Sequence, residues 1–268
     1  MNWTRLKNIV KWIWILAIFF FTIFYAINKK DSISQMLSLL SVEILLVAVL
    51  LVLFAKACLV ANMRKAAMRF GIVLEWGDSY RIYNFTQLGK YIPGSIWQFV
   101  GRVTILRERS VPIKVIRDSL LAEHLWVISS AVLLAGILIL TSRPDFFIFW
   151  LADAGFEIRW SWFLAALALL LITVVSALFM YKRLSRWLLR LMPPSSAVPA
   201  LLLTWFFLGA SLWVTILPFV ESMPSLSYVV GIYCFAYVAG FLVPFAPAGL
   251  GIREAILTFA LMAFVRVD

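Results

Sequence analysis

The chain is poor in the side chains that most enzymes and metal sites rely on. It has one histidine, His124, and two cysteines, Cys58 and Cys234. A lone histidine cannot build a zinc site, and the cysteines lie far apart in apolar runs without metal-ligand spacing. They read as small buried hydrophobes. No serine–histidine–acid set assembles around His124, which reads instead as a hydrogen-bonded polar residue at a membrane boundary. No Walker A pattern is present, so ATP does not drive the chain directly. Charge is scarce too: 14% of residues are charged, against about a quarter in a soluble domain. Acids are scarcer still, 13 against 24 lysines and arginines, for a formal charge of +11. A soluble enzyme is excluded, and neither a catalytic set, a metal site nor a cofactor is expected. Membrane O-acyltransferases use an intramembrane histidine as base, but nothing else here resembles them.

What the chain has in abundance is apolar sequence. Sixty-four per cent of residues are hydrophobic and the mean hydropathy is +0.98. Apolar runs of about twenty residues point to a helical bundle rather than a barrel, whose strands are about ten residues of alternating pattern. The expected fold is all-α: one polytopic membrane domain over 1–268, with about six full spans. These run near 9–27, 36–60, 118–140, 160–181, 198–220 and 226–245. Glu43 falls in the first turns of the second span. Lys56 falls near that span's end, where it can snorkel to the interface. Between spans four and five, Arg183, Arg186 and Arg190 share one helical face and Leu184, Trp187, Leu188 and Leu191 another. That is an interfacial amphipathic helix stopped by Pro193 and Pro194. Lysine and arginine cluster before span one, between two and three, and between four and five. The positive-inside rule then puts the N-terminus in the cytoplasm of a multi-pass protein of the cytoplasmic (inner) membrane. The same rule, with anionic lipid, accounts for the net charge better than nucleic acid does.

Two stretches break the pattern. In 88–109, LGKYIPGSIWQFVGRVTILRER, Pro93 and Gly94 sit where a helix would continue. In 242–257, LVPFAPAGLGIREAIL, Pro244, Pro247, Gly249 and Gly251 interrupt the chain, and Arg253 and Glu254 follow directly. Backbone leaves the helical state at membrane depth only where protein or a water-filled cavity surrounds it. Paired Gly/Pro-interrupted segments are the strongest pointer in a sequence to a transporter's substrate site. Both stretches are expected to be re-entrant.

LGKYIPGSIWQFVGR and VPFAPAGLGIREAIL resemble two regions of the transmembrane flippase domain of lysylphosphatidylglycerol synthases and their stand-alone relatives. The matching positions are Gly89, Lys90, Tyr91, Pro93, Gly94, Trp97 and Arg102, then Pro244, Pro247, Gly249, Gly251, Arg253 and Glu254. The resemblance covers most of the chain, without a synthase domain. It implies a membrane domain that moves a lipid, aminoacylated phosphatidylglycerol or polyprenyl-linked, between leaflets. Members of that family continue for one or two helices past the second motif, so the chain is expected to be short relative to them.

A lipid phosphate crossing hydrocarbon needs partners for its charge. Arginine offers a planar fork of donors that stays protonated, which makes Arg102 and Arg253 the phosphate candidates. Each could equally be structural, Arg102 as a cytoplasmic charge and Arg253 as an ion pair with Glu254. Gly249 and Gly251 would let a headgroup approach the backbone. Glu254 would pair with an arginine of the first stretch or receive a cationic headgroup. Glu123, inside span three, would relay a proton or pair with Arg102 or Arg253. With Pro93 and Gly94, these complete the expected headgroup site. The expected function is a lipid flippase or scramblase acting on a phosphate-bearing lipid, with a lipid-modifying enzyme as a candidate partner. The alternative is a non-transporting membrane subunit that scaffolds a glycosyltransferase or lipid synthase.

Overall fold

The computed structural model describes residues 20, 23–24, 27–91, 96–143, 182–243 and 247–264. Among them the regular structure is entirely helical. The second apolar run is divided differently from its hydropathy. Helix α1, Lys30–Leu39, ends at an extended Leu40, and Ser41 starts α2, Val42–Arg69, by accepting the Ile44 N–H at 3.3 Å. A serine at that position satisfies one of the donors that every helix start leaves open. Helix α2 then runs past the end of the apolar run. It closes on Gly71 in the left-handed region (φ 81°), with Gly71 N–H donating to Met68 C=O and Ile72 N–H to Ala67 C=O. Both bonds are those of a Schellman stop, which calls for glycine at that place.

The first broken stretch supplies only the turn and the second arm of an antiparallel helical hairpin, whose first arm precedes it. The arms are α3, Trp76–Gln87, and α4, Trp97–Glu108, with a 3-10 turn at Leu88–Tyr91 between them. At the open end Arg109 bonds Asp78 at 2.7 Å. Near the closed end a Cβ on Gly89 would stand 2.6 Å from the Gln98 nitrogen and 2.7 Å from the Trp97 carbonyl carbon. Glycine is what lets the two backbones come that close. Pro112 precedes α5, Ile113–Ser142.

The rest of the described bundle is α6, Lys182–Leu191, α7, Val198–Ile216, α8, Leu226–Leu242, and α9, Ile252–Leu261. Three helical stretches are long and apolar enough to cross a membrane: Val42–Arg69, Ile113–Ser142 and Trp187–Phe219, while Leu226–Leu242 is apolar but shorter. The expected first and fourth spans lie outside the described residues, apart from a few positions at the end of the first.

Helix α7 packs along α2, and α8 packs against both α5 and α7. The core between them is built on Trp126, Trp205, Ile139, Val229 and Ile232. Small residues set the approach distances, as between membrane helices generally. A Cβ on Gly209 would meet the Val230 Cα at 2.6 Å, and one on Gly231 would meet Ile139 and Leu138 at 3.0–3.1 Å. Polar side chains tie the same helices together: Ser211 to Ala48 C=O at 3.0 Å, Trp205 Nε1 to Ser130 at 2.9 Å, and Tyr228 to Ala260 C=O at 3.0 Å. The amphipathic α6 is pinned at its C-terminal end. Arg69 donates to the Arg190 and Leu189 carbonyls at 2.6 and 3.2 Å, and Trp126 Nε1 to the Leu191 carbonyl. The carbonyls of a helix's last turn carry its negative end, so a guanidinium serves them well, beside the Met192 N–H that also reaches Leu189 at 3.3 Å.

Candidate functional site

The tip of the hairpin and the second broken stretch meet around one cavity of about 360 Å³, walled by α2, α5 and α8. Its charged lining residues are Lys56, Lys90, Arg253 and Glu123, with His124 and Tyr237 beside them. Lys56 is not near a helix end, as its place in the apolar run suggested. Because α2 continues to Arg69, Lys56 is about two turns, or roughly 12 Å at 1.5 Å per residue, short of the basic end marked by Arg64 and Lys65. Its ammonium reaches Asn84 Oδ1 on the hairpin at 3.4 Å.

Arg102 and Glu123 form a buried ion pair between α4 and α5, each almost fully enclosed. The guanidinium also approaches Thr86 Oγ1 at 3.4 Å and lies over the ring of Tyr83 at 5.5 Å. Its Nε is buried without a hydrogen-bond partner among the described residues. Of the two, Glu123 borders the cavity; Arg102 stands behind it. The carboxylate is thereby neutralised from the far side.

Arg253 faces the same space in a different state. Ala248, Gly249 and Gly251 all take positive φ (54°, 74° and 86°), which turns the chain sharply ahead of α9. Two of the three are glycines because the left-handed region costs an L side chain energy. The Arg253 side chain then lies between Gly240 and Gly249. A Cβ on Gly240 would meet its Cγ and Nε at 2.8 Å, and one on Gly249 would meet Nε at 3.0 Å. Its guanidinium sits 4.6 Å from the centre of the Tyr237 ring. Its Nε is buried and bonds no described residue.

Glu254 points elsewhere. Its carboxylate accepts the Gly251 N–H at 2.6 Å and caps the start of α9. No ion pair joins it to Arg253 among the described residues. Gly251 is exposed, and a Cβ there would meet nothing, so its glycine answers to φ alone. Gly249 borders the cavity, but its missing side chain makes room for Gly240 and Arg253. The expectations for Pro93 and Gly94 lie outside the described residues.

His124 donates from Nδ1 to the Leu120 carbonyl at 2.9 Å and stacks 4.8 Å from Phe99. A carbonyl only accepts, so Nδ1 carries the proton in the neutral ring and Nε2 is left as an acceptor. Lys90 sits in the turn of the hairpin. Lys56 and Arg253 share the cavity with it. No cluster of three metal-binding side chains occurs among the described residues.

Sequence reasoning selected Arg253, Arg102, Glu123 and Gly249, and the fold gathers them at one place. It passed over Lys56 and Gly240. A lysine inside a long apolar run was the available signal for the first; an interior helix glycine carried none for the second. Comparison with family models, with curated proteins and with solved structures finds no match.

Proposed function

We propose that the chain is a lipid flippase or scramblase of the cytoplasmic membrane, and that this cavity receives the phosphate of a lipid headgroup. The observation that carries the reading is the trio Lys56, Lys90 and Arg253 around one cavity, with Glu123, the one carboxylate that lines it among the described residues, held by Arg102. Cations concentrated among apolar helices are costly unless something anionic joins them. Lysine serves phosphate as a point charge, arginine as a fork. The six spans and the N-terminal-in orientation read from the sequence belong to this proposal. In it the hairpin dips in from the cytoplasmic side and the second break closes over its tip. The reaction is movement without covalent chemistry, and the resemblance to the flippase domain of lysylphosphatidylglycerol synthases agrees with it.

The scaffold reading keeps one specific support. The turn of the hairpin packs on the second break, and Gly240 meets Gly249 closely, so these segments also fit a closed, static unit. Transport in liposomes separates the two. The purified protein, reconstituted with a fluorescent phospholipid, should expose inner-leaflet probe to an external quencher. Arg253→Ala should abolish that exposure while the protein stays monodisperse in detergent. Arg253→Lys should restore part of it, because charge returns without the fork. Normal transport by Arg253→Ala would remove the site assignment, and no transport of any lipid by the unaltered protein would favour the scaffold.

A further inference from the structure

We infer that the cavity is built for a phosphate headgroup with two or more negative charges, a phosphomonoester or a diphosphate, and disfavours a cationic aminoacylated phosphodiester. This rests on reading the cavity as a headgroup site and narrows its substrate class by charge.

Three cations line the space from three separate elements: Lys56 from α2, Lys90 from the hairpin turn and Arg253 from α9. The carboxylate beside them, Glu123 on α5, is already matched by Arg102. A phosphodiester brings one negative charge and leaves most of the trio uncompensated. A phosphomonoester near neutral pH, with its second pKa at about 6, brings almost two; a diphosphate brings two or three. An added ammonium, such as an aminoacyl group carries, would meet three like charges. Glu123, the one carboxylate lining the cavity among the described residues, is engaged from behind.

The donors are also pre-arranged. The Arg253 stem is fixed between Gly240 and Gly249 with its guanidinium against Tyr237, and its buried Nε bonds no described residue. Preorganised donors lower the ordering cost of binding. A ligand with several phosphate oxygens can engage the fork of Arg253 and both ammonium groups at once.

The experiment measures binding to the full chain in nanodiscs of zwitterionic lipid. The probes are farnesyl diphosphate, a short-chain phosphatidic acid, a short-chain phosphatidylglycerol and its lysyl ester. The first two should bind at least tenfold more tightly than phosphatidylglycerol, and the lysyl ester most weakly. Lys56→Gln and Lys90→Gln should each narrow the gap at unchanged thermal midpoint. Phosphatidylglycerol or its lysyl ester binding as well as the diphosphate, in an Arg253-dependent way, would overturn the charge inference and leave the headgroup site standing. Binding of none of the four, or binding indifferent to Arg253→Ala, would overturn both.

Discussion

Arg253 borders the cavity, Arg102 stands behind its Glu123 wall, and the two do opposite work. Arg102 is spent on Glu123, and removing it would leave that buried carboxylate without its hydrogen-bonded cation. Losing one partner of a buried pair costs about 3–5 kcal/mol, whereas replacing both by neutral groups of similar size is often close to neutral. Arg102→Ala should therefore lower the thermal midpoint sharply in detergent. Arg102→Met combined with Glu123→Gln should recover most of that loss, and an Arg102→Ala protein as stable as the parent would show that the pair holds nothing together. Arg253→Ala should behave the other way, sparing stability and removing lipid handling, because its guanidinium has a ring but no described carboxylate. Both arginines were legible in the sequence as unusual, since each follows a Gly/Pro break. Which of them is paired was not legible. That depends on Glu123 arriving from a separate helix 21 positions away.

At the scale of the element, the hairpin shows where local sequence suffices and where it does not. The break after Leu88 could be read from its glycines and proline, but the first arm, α3, lies ahead of the stretch they mark and was not read. The depth and registry of the arms are set by contacts no local pattern encodes: Gly89 against the Trp97–Gln98 backbone, and Asp78 to Arg109 at the open end. Lys56 was misplaced for a related reason. Hydropathy fades after Val60, but helix formation does not, and the Schellman stop at Gly71 fixes the true end. Two glycines of this hairpin yield opposite predictions. At Gly77, in the first turn of α3, a Cβ meets nothing, so Gly77→Ala should raise stability by about 0.5–1 kcal/mol through helix propensity. At Gly89 a Cβ meets backbone that has no side chain to swing away. Gly89→Ala should cost about 1–3 kcal/mol and spread the arms. Paired thermal melts decide it, and equal effects of the two substitutions would mean that the close approach of the arms carries no energy.

For the whole molecule, the described helices fix relative direction. Lys65 reaches the Ser196 carbonyl at one end of the α2–α7 pair, and Ser211 reaches the Ala48 carbonyl at the other. Ser142 meets Ser227 at 2.8 Å where α5 ends and α8 begins. The C-terminal ends of α2 and α6 lie together, joined by Arg69 on the Arg190 and Leu189 carbonyls. If the hairpin is re-entrant, both its open ends belong on that same side. Single cysteines at Glu75, Glu108, Ser196 and Ser222, all exposed positions, test this in a background with Cys58 and Cys234 changed to alanine. A membrane-impermeant maleimide should label Glu75→Cys, Glu108→Cys and Ser196→Cys from the cytoplasmic face, and Ser222→Cys from the opposite face. The pair that decides is Glu75 and Glu108. An ordinary crossing between them would put their labels on opposite sides of the membrane, and the cavity would then no longer be capped by a hairpin entering from the cytoplasm. Labelling from one side, together with loss of labelling at Gln98→Cys when farnesyl diphosphate is added, would tie the hairpin tip to the bound headgroup.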